Sequence, residues 1–266
     1  MAEKKQHFPT LAAFGAAVRD VSDFHHMRRS DSRFFGHTTG EELIRALSGS
    51  GDPDTTARVL KHYDAMRDAL PPTATPMFAP CVAGGRVDVG AYLANDPECF
   101  WTRTEDSTSA GPVTISVDMS RSSGTDPQTI ELQGAAIAAA AIAASNQRPV
   151  TLRFVWLVNS DETPHTVHIA VDLEMRSADV GAVALMVANP AAFRRGFLSV
   201  GTKLIGLGKD DHESFPLIHE RHREQQIARD YPGVYIPGLT HQDNGKTQEE
   251  WIRIARDVMN KALAYE

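Results

Sequence analysis

A chain of 266 residues that is 42% hydrophobic holds enough apolar material for one large domain, or for one domain with a substantial extension. Its formal charge of −7 leaves no basic excess to release counterions from phosphate backbones, which excludes free nucleic acid as the default partner. Its two cysteines, Cys81 and Cys99, supply neither a disulfide scaffold nor a metal knuckle, and buried thiols in a reducing cytosol are expected.

The opening "MAEKKQHFPTLAAFGAAVRD" has charges and then an interrupted apolar run, so it lacks the continuous apolar region of a secretion signal. Three stretches, "FPTLAAFGAAVRDVSDF", "TTGEELIRALSGSG" and "DPDTTARVLKHYDAMRDAL", predict short helices. In the third, Val59, Leu60, Tyr63, Met66 and Leu70 recur at helical spacing, with Asp52 or Asp54 to cap the start and Pro71 and Pro72 to end it. Residues 1–75 therefore read as a helical extension packed against the rest. "PPTATPMFAPCVAGG" is a Pro- and Gly-rich connection, followed by a short helix or turn from Val89 to Leu93, a turn at "NDPE" and a polar loop. Residues 76–111 read as a connecting segment.

From Pro112 strands and helices alternate. Val113, Ile115 and Val117 begin a strand, Ile130 to Ala144 form a helix, and "VTLRFVWLV" is a second strand of β-branched and aromatic residues, parallel to the first through a right-handed crossover. "HTVHIAVDLEM" follows at hairpin distance and must run antiparallel, with Val167, Ile169, Val171 and Leu173 on one face. "SADVGAVALMVANPAAFRRGFLSVGTKL" predicts two helices, the second started by Asn189 and Pro190. A polar stretch with a helix from Leu217 to Arg229, a short fourth strand in "GVYIPGL", and an amphipathic helix carrying Trp251, Ile254, Val258 and Leu263 inward complete the chain. The longest apolar run, "GAAIAAAAIAAS", is too short to span a bilayer, so a soluble cytoplasmic protein is expected. The fold class is α/β: a small mixed, mostly parallel sheet with helices on both faces over residues 112–266, plus the helical N-terminal extension.

The candidate site is the turn "VDMSRSSG". Ligands of an open parallel sheet bind beyond the carboxyl ends of its strands, where Asp118, Ser120 and Ser122 fall. One carboxylate and two hydroxyls on a tight turn suit a hard cation such as Mg²⁺, and the following helix N-terminus suits an anionic group from a partner. The structural alternative is that Asp118 caps the turn and the serines satisfy local backbone donors.

"ISVDMSRSSG" resembles the Asp-x-Ser-x-Ser motif of von Willebrand factor A domains, and the order of helix, strand, antiparallel strand and helix that follows is similar to theirs over residues 112–266. The resemblance implies a Rossmann-like sheet and a metal-ion-dependent adhesion site that holds Mg²⁺ or Mn²⁺ and binds a partner's carboxylate. Family members add a threonine from a second loop and an aspartate from a third. Here "EMRSADVG" offers Ser177 and Asp179 but no threonine, and "GLTHQDNG" offers Asp243, with Thr240 and His241 nearby. The implied metal set is Asp118, Ser120, Ser122, Asp179 and Asp243; the expected partner-binding residues are Asp118, Arg121, Ser122 and His241. A fainter resemblance carried by "VAGGRVDVGAYLANDPE", "RPVTLRFVW" and "ANPAAFRR" is to an uncharacterised family of tailed-bacteriophage proteins, which implies a viral origin and a host or viral protein as partner.

Other chemistries are weaker. His219 and His222 share a helix face near His212 without a cysteine or a His-Glu-x-x-His, so a solvated helix is the expectation. His25 and His26 point apart on any helix and read as surface residues. The basic clusters "AAFRRGF" and "LIHERHREQQIAR" read as wet helix faces, or as a patch for an acidic surface. No Gly-x-Ser-x-Gly elbow, Walker lysine or Rossmann glycine spacing is present. The leading expectation is a non-enzymatic protein-binding module; the alternatives are a metal-assisted hydrolase using Asp118, Asp243 and His241, and a self-assembling structural protein.

Overall fold

The computed structural model describes residues 2–29, 37–70, 78–81, 86–87, 93, 100–103, 111–121, 124–159, 165–175, 180–210 and 220–265. In chain order, β1 (Ala2–Phe8) leads into α1 (Leu11–Asp20), α2 (His25–Arg28), α3 (Gly40–Arg45, continued as a π turn over Ala46–Ser50) and α4 (Pro53–Ala69). A small antiparallel sheet follows, made of β2 (Phe78–Cys81), β3 (Arg86–Val87) and β4 (Phe100–Arg103) with β4 in the middle. Next come β5 (Val113–Asp118), α5 (Pro127–Ser145), β6 (Val150–Asn159), β7 (His165–Glu174) and α6 (Val180–Val183, continued as a π turn over Ala184–Ala188). The chain closes with α7 (Leu198–Leu204, entered through a π turn over Ala192–Phe197), α8 (Glu220–Asp230), β8 (Val234–Ile236) and α9 (Gln248–Ala264).

The main sheet has the order β1-β7-β6-β5-β8, and every neighbouring pair is parallel except β6 with β7. The strand–helix–strand unit, the antiparallel hairpin strand and the short strand after α8 follow the sequence pattern. β1 departs from it: the first residues are not a prelude to a helix but a fifth strand, paired along its length with β7. The connection after α4 departs too, since it contains β2, β3 and β4. The turn expected from Val89 to Leu93 and the burial expected for Cys81 and Cys99 lie outside the described residues and side chains.

Side chains alternate across the sheet, as the two-residue strand period requires. Leu152, Phe154, Trp156 and Val158 of β6 enter the large core, where Trp156 meets Phe193 and Phe197 edge-on. Val155 and Leu157 face the other way and form a second, small cluster with Ala170 and Ile227. The large core runs from Phe8 to Ala262 without interruption, so α1, α3 and α4 share it with the α/β elements. At its centre, α5 is apolar all round: Ala135, Ala136 and Ala138 to Ala141 are buried because α4, α9 and the π turn after α6 press on it together. Alanine suits that crowding, since larger side chains would hold the neighbours apart.

Helices thus lie on both faces, but unequally, with α8 covering the face opposite α5. Ile227 anchors α8, while Tyr231 and Tyr235 pack around the small cluster. Three basic residues expected on wet faces are buried instead. Arg194 and Arg195 lie at the turn into α7 and Arg223 on α8. Arg195 gives its guanidinium to the carbonyls of His26, Met27, Arg29 and Thr38, and so satisfies the open carbonyl end of α2. His26 is buried as well, contrary to a surface reading, whereas His25 is half-buried. Among the described residues no helix is long and apolar enough to cross a membrane.

Candidate functional site

The chain leaves β5 through α5 to reach β6 on one side, and β8, added much later, lies on the other side. The carboxyl end of β5 is therefore a topological switch point, where the connections diverge and leave a crevice. Asp118 is the last residue of that strand. Behind it, Leu239 N donates to Ser120 O at 3.1 Å, and Arg121 bridges Leu239, so the turns after β5 and β8 run together. Gly238 permits that approach, because a Cβ there would stand 2.3 Å from Ser120 O and 3.2 Å from Asp118 Oδ2.

Asp118 is fully engaged. Its Oδ1 accepts from Ser120 N at 2.8 Å, and its Oδ2 accepts from Arg223 Nε at 2.8 Å and from the Tyr235 hydroxyl at 3.1 Å. The Asp118 side chain is 0% exposed and that of Arg223 is 4% exposed. The Ser120 N–H bond is the local capping role expected of an aspartate in such a turn. The arginine comes from α8 and lies one helical turn before Ile227, on the same face.

Asp243 sits in a short 3₁₀ turn, where its carboxylate accepts from Thr240 N at 2.7 Å and Thr240 Oγ1 at 3.1 Å and from Lys246 Nζ. Burial pushes its carboxyl up, but the hydrogen bonds from Lys246 and Thr240 outweigh this and hold it below the ordinary carboxylate range. Asn244 ties this loop to the entry of α5, accepting from Asp126 N and donating to Gly124 O, both at 2.8 Å. His241 is exposed on the same rim. Ser122, Ser177 and Asp179 lie outside the described residues, as do His212 and His219; His222 is exposed.

A cleft of about 990 Å³ opens beside the switch point, between the start of α5 and the helices of the N-terminal part. Thr125, Pro127 and Ile130 form one wall, Arg194 and Pro190 contribute from the turn into α7, and Arg45, Asp54 and Arg58 line the far side. Thr125 is buried, and its hydroxyl has no hydrogen-bond partner among the described residues. Arg121 is buried, with Nη2 donating to Val187 O and Nη1 without a hydrogen-bond partner among the described residues. Burial, and then the neighbouring charge of Arg194, lower its pKa to about 9. The cleft lining carries both signs of charge, Arg45, Arg58 and Arg194 against Glu42, Asp52, Asp54 and Glu131.

A family model described as a domain of unknown function, DUF7192, matches residues 2–262. The chain belongs to the DUF7192 family. Comparison with curated proteins and with solved structures found no match. The match extends over β1 and α1–α4 as well as the later α/β elements, in keeping with their single shared core.

In this DUF7192 member Asp118 and Asp243, the described carboxylates of the set expected to hold Mg²⁺ or Mn²⁺, do not stand free; Ser122 and Asp179 lie outside the described residues. The Arg223 guanidinium supplies, at Asp118, the positive charge that an ion would bring, and Lys246 does so at Asp243. Ser120 keeps a buried hydroxyl without a hydrogen-bond partner among the described residues. Nor do Asp118 and Asp243 offer a free carboxylate to a hydrolytic mechanism. Of the expected partner-binding residues, Asp118 and Arg121 are buried and His241 alone presents an exposed side chain among the described residues. Sequence reasoning passed over Tyr235, Gly238 and Thr125, and read Arg194 and Arg223 only as parts of basic clusters on wet faces or an acidic-surface patch. One signal available was the four-residue spacing of Arg223 and Ile227, which places the arginine on the same face of α8 as the buried isoleucine.

Proposed function

We propose that this protein is a non-enzymatic binding module, a divergent relative of von Willebrand factor A domains, that engages a carboxylate-bearing segment of another protein at the β5–β8 strand-end edge and in the adjoining cleft. The carrying observation is the buried Thr125 hydroxyl, without a hydrogen-bond partner among the described residues, in a cleft that Arg194 also lines next to the topological switch point. A carboxylate entering there meets a hydroxyl donor and Arg194, while much of the opposing acid is already committed: Glu131 to Arg58 at 2.7 Å, and Asp52 to Asn189 and Thr55, each at 2.5 Å. Arg223 substitutes for the ion at Asp118, so binding needs no metal and the adhesion-type turn is degenerate. The fainter phage resemblance makes the host cytoplasm the place of action and a host or viral protein the partner.

The test is affinity purification from infected-cell lysate with the wild-type chain, Thr125→Val and His241→Glu, each checked for folding by circular dichroism. A partner retained by the wild type and lost from both variants, with or without a chelator present, supports the reading. Equal retention by all three, or retention that a chelator abolishes, would overturn it.

A further inference from the structure

On the face of the sheet covered by α8, away from the β5 strand end, three side chains from distant parts of the chain converge. Glu3 comes from β1, His168 from β7 and Asp230 from the end of α8, and one ligand atom from each lies within 4.8 Å of the others. His168 Nδ1 stands 3.7 Å from Asp230 Oδ2 and 3.9 Å from Glu3 Oε1. These separations exceed a hydrogen bond. Neither ring nitrogen has a hydrogen-bond partner among the described residues, although His168 is 1% exposed. A buried imidazole aimed at two carboxylates without bonding either is an orphan that calls for an explanation.

We propose that Glu3, His168 and Asp230 form a binding site for a divalent transition-metal ion of the zinc class. The ligand set of one imidazole nitrogen and two carboxylates suits zinc better than magnesium or calcium, which prefer all-oxygen shells. With bonds of about 2.0–2.1 Å at the tetrahedral angle, two ligands of one zinc ion stand roughly 3.3–3.4 Å apart, so the two His168 separations shorten by about half an ångström and the carboxylates draw together from within 4.8 Å. His168 is the buried ligand of the three. Tyr231 packs edge-on against the ring at 5.1 Å and fixes its plane. Glu3 lies at the solvent side and leaves an entry path.

Lys5 is the competitor. Its ammonium lies 2.9 Å from Asp230 and 3.2 Å from Glu3, and its side chain is 46% exposed. It neutralises the two acids in the metal-free chain, and its flexible stem lets it swing into solvent when an ion enters. The ion then ties β1, β7 and α8 together by their side chains.

The test is calorimetric titration of the chelator-stripped full chain with Zn²⁺, with Co²⁺ absorption to report the coordination geometry. One ion per chain is expected, in a four-coordinate visible spectrum. Lys5→Met should bind at least about tenfold tighter, and Glu3→Gln and His168→Gln at least about tenfold weaker, a difference that the affinity relation makes easy to resolve. Glu3 is at the surface, so loss in Glu3→Gln does not reflect misfolding. Failure of the wild type to bind, binding by Lys5→Met alone, or an affinity unmoved by all three substitutions would overturn the proposal. None of these outcomes depends on what the cleft beside β5 binds.

Discussion

Replacing Arg223 with methionine removes the cation from a carboxylate that has no solvent exposure. Asp118 retains Ser120 N–H and the Tyr235 hydroxyl, but these two neutral donors do not carry the charge that the guanidinium balances. Breaking one side of a buried pair costs about 3–5 kcal/mol, whereas an exposed pair is worth at most about 1 kcal/mol. For a chain of this size about 1 kcal/mol corresponds to roughly 2–4 °C, so Arg223→Met should lower Tm by about 6–20 °C. Asp118→Asn keeps the shape and strands the guanidinium instead, with a loss of similar size. The double variant Asp118→Asn/Arg223→Met buries no unpaired charge and should recover much of either loss, giving a coupling of about 2 kcal/mol or more in a double-mutant cycle. Urea unfolding followed by circular dichroism measures all four corners. Additivity within about 0.5 kcal/mol, or a single loss below about 1 kcal/mol, would show that the two side chains do not act as a buried pair.

Gly238→Ala should destabilise the chain by about 1–3 kcal/mol, because its Cβ would meet the Ser120 carbonyl at 2.3 Å and force β8 away from the end of β5; thermal unfolding at wild-type Tm would contradict the close approach. His168 has a folded pKa of about 4, below its ordinary 6.5. The unfolded chain therefore takes up that proton first, and the stability tied to the neutral ring is complete above pH 6.5. It is lost as pH falls from 6.5 toward 4, on the order of 3 kcal/mol over the whole window. Asp230, held by Arg229 and Lys5 at about 2, loses its contribution only below its ordinary 3.8, in a separate window. Metal-free His168→Gln should show a flatter dependence of unfolding free energy between pH 7 and 4.5 than metal-free wild type; parallel curves would contradict the assignment.

The elements from β5 to β7 were legible because each shows a clear pattern: β-branched residues for β5 to β7, and a run of alanine and isoleucine for α5. β1 was hidden by its position at the sheet edge, where Glu3, Lys5 and His7 point to the polar face and meet Asp230 and Asp172. Charged edge strands are a normal defence against unwanted pairing, and they erase the apolar alternation that marks a strand. β2 carries Pro80, which argues against a strand interior but is tolerated at an edge, and β2 is an edge strand of its small sheet. The position of Asp118 was legible as well, since a strand followed by a crossover helix fixes which end of the sheet it occupies. Its partner was not. Arg223 lies 105 residues away in a segment dominated by charge, and composition alone places such an arginine in water. The burial of Arg195 was equally hidden, because its acceptors are backbone carbonyls, which leave no trace in the sequence.

The position of α8 has one more consequence. Arg223 near its start holds the end of β5, Gln226 reaches Glu3 at 3.0 Å, and Asp230 at its last turn holds Lys5 of β1. Seven residues of helix separate the first contact from the last, a span of about 10 Å that behaves as a short rigid rod. Strand β5 and the edge strand β1 therefore hang from opposite ends of one helix, with Ile227 between them. α8 thus links the strand-end turn to the N-terminal edge from outside the sheet.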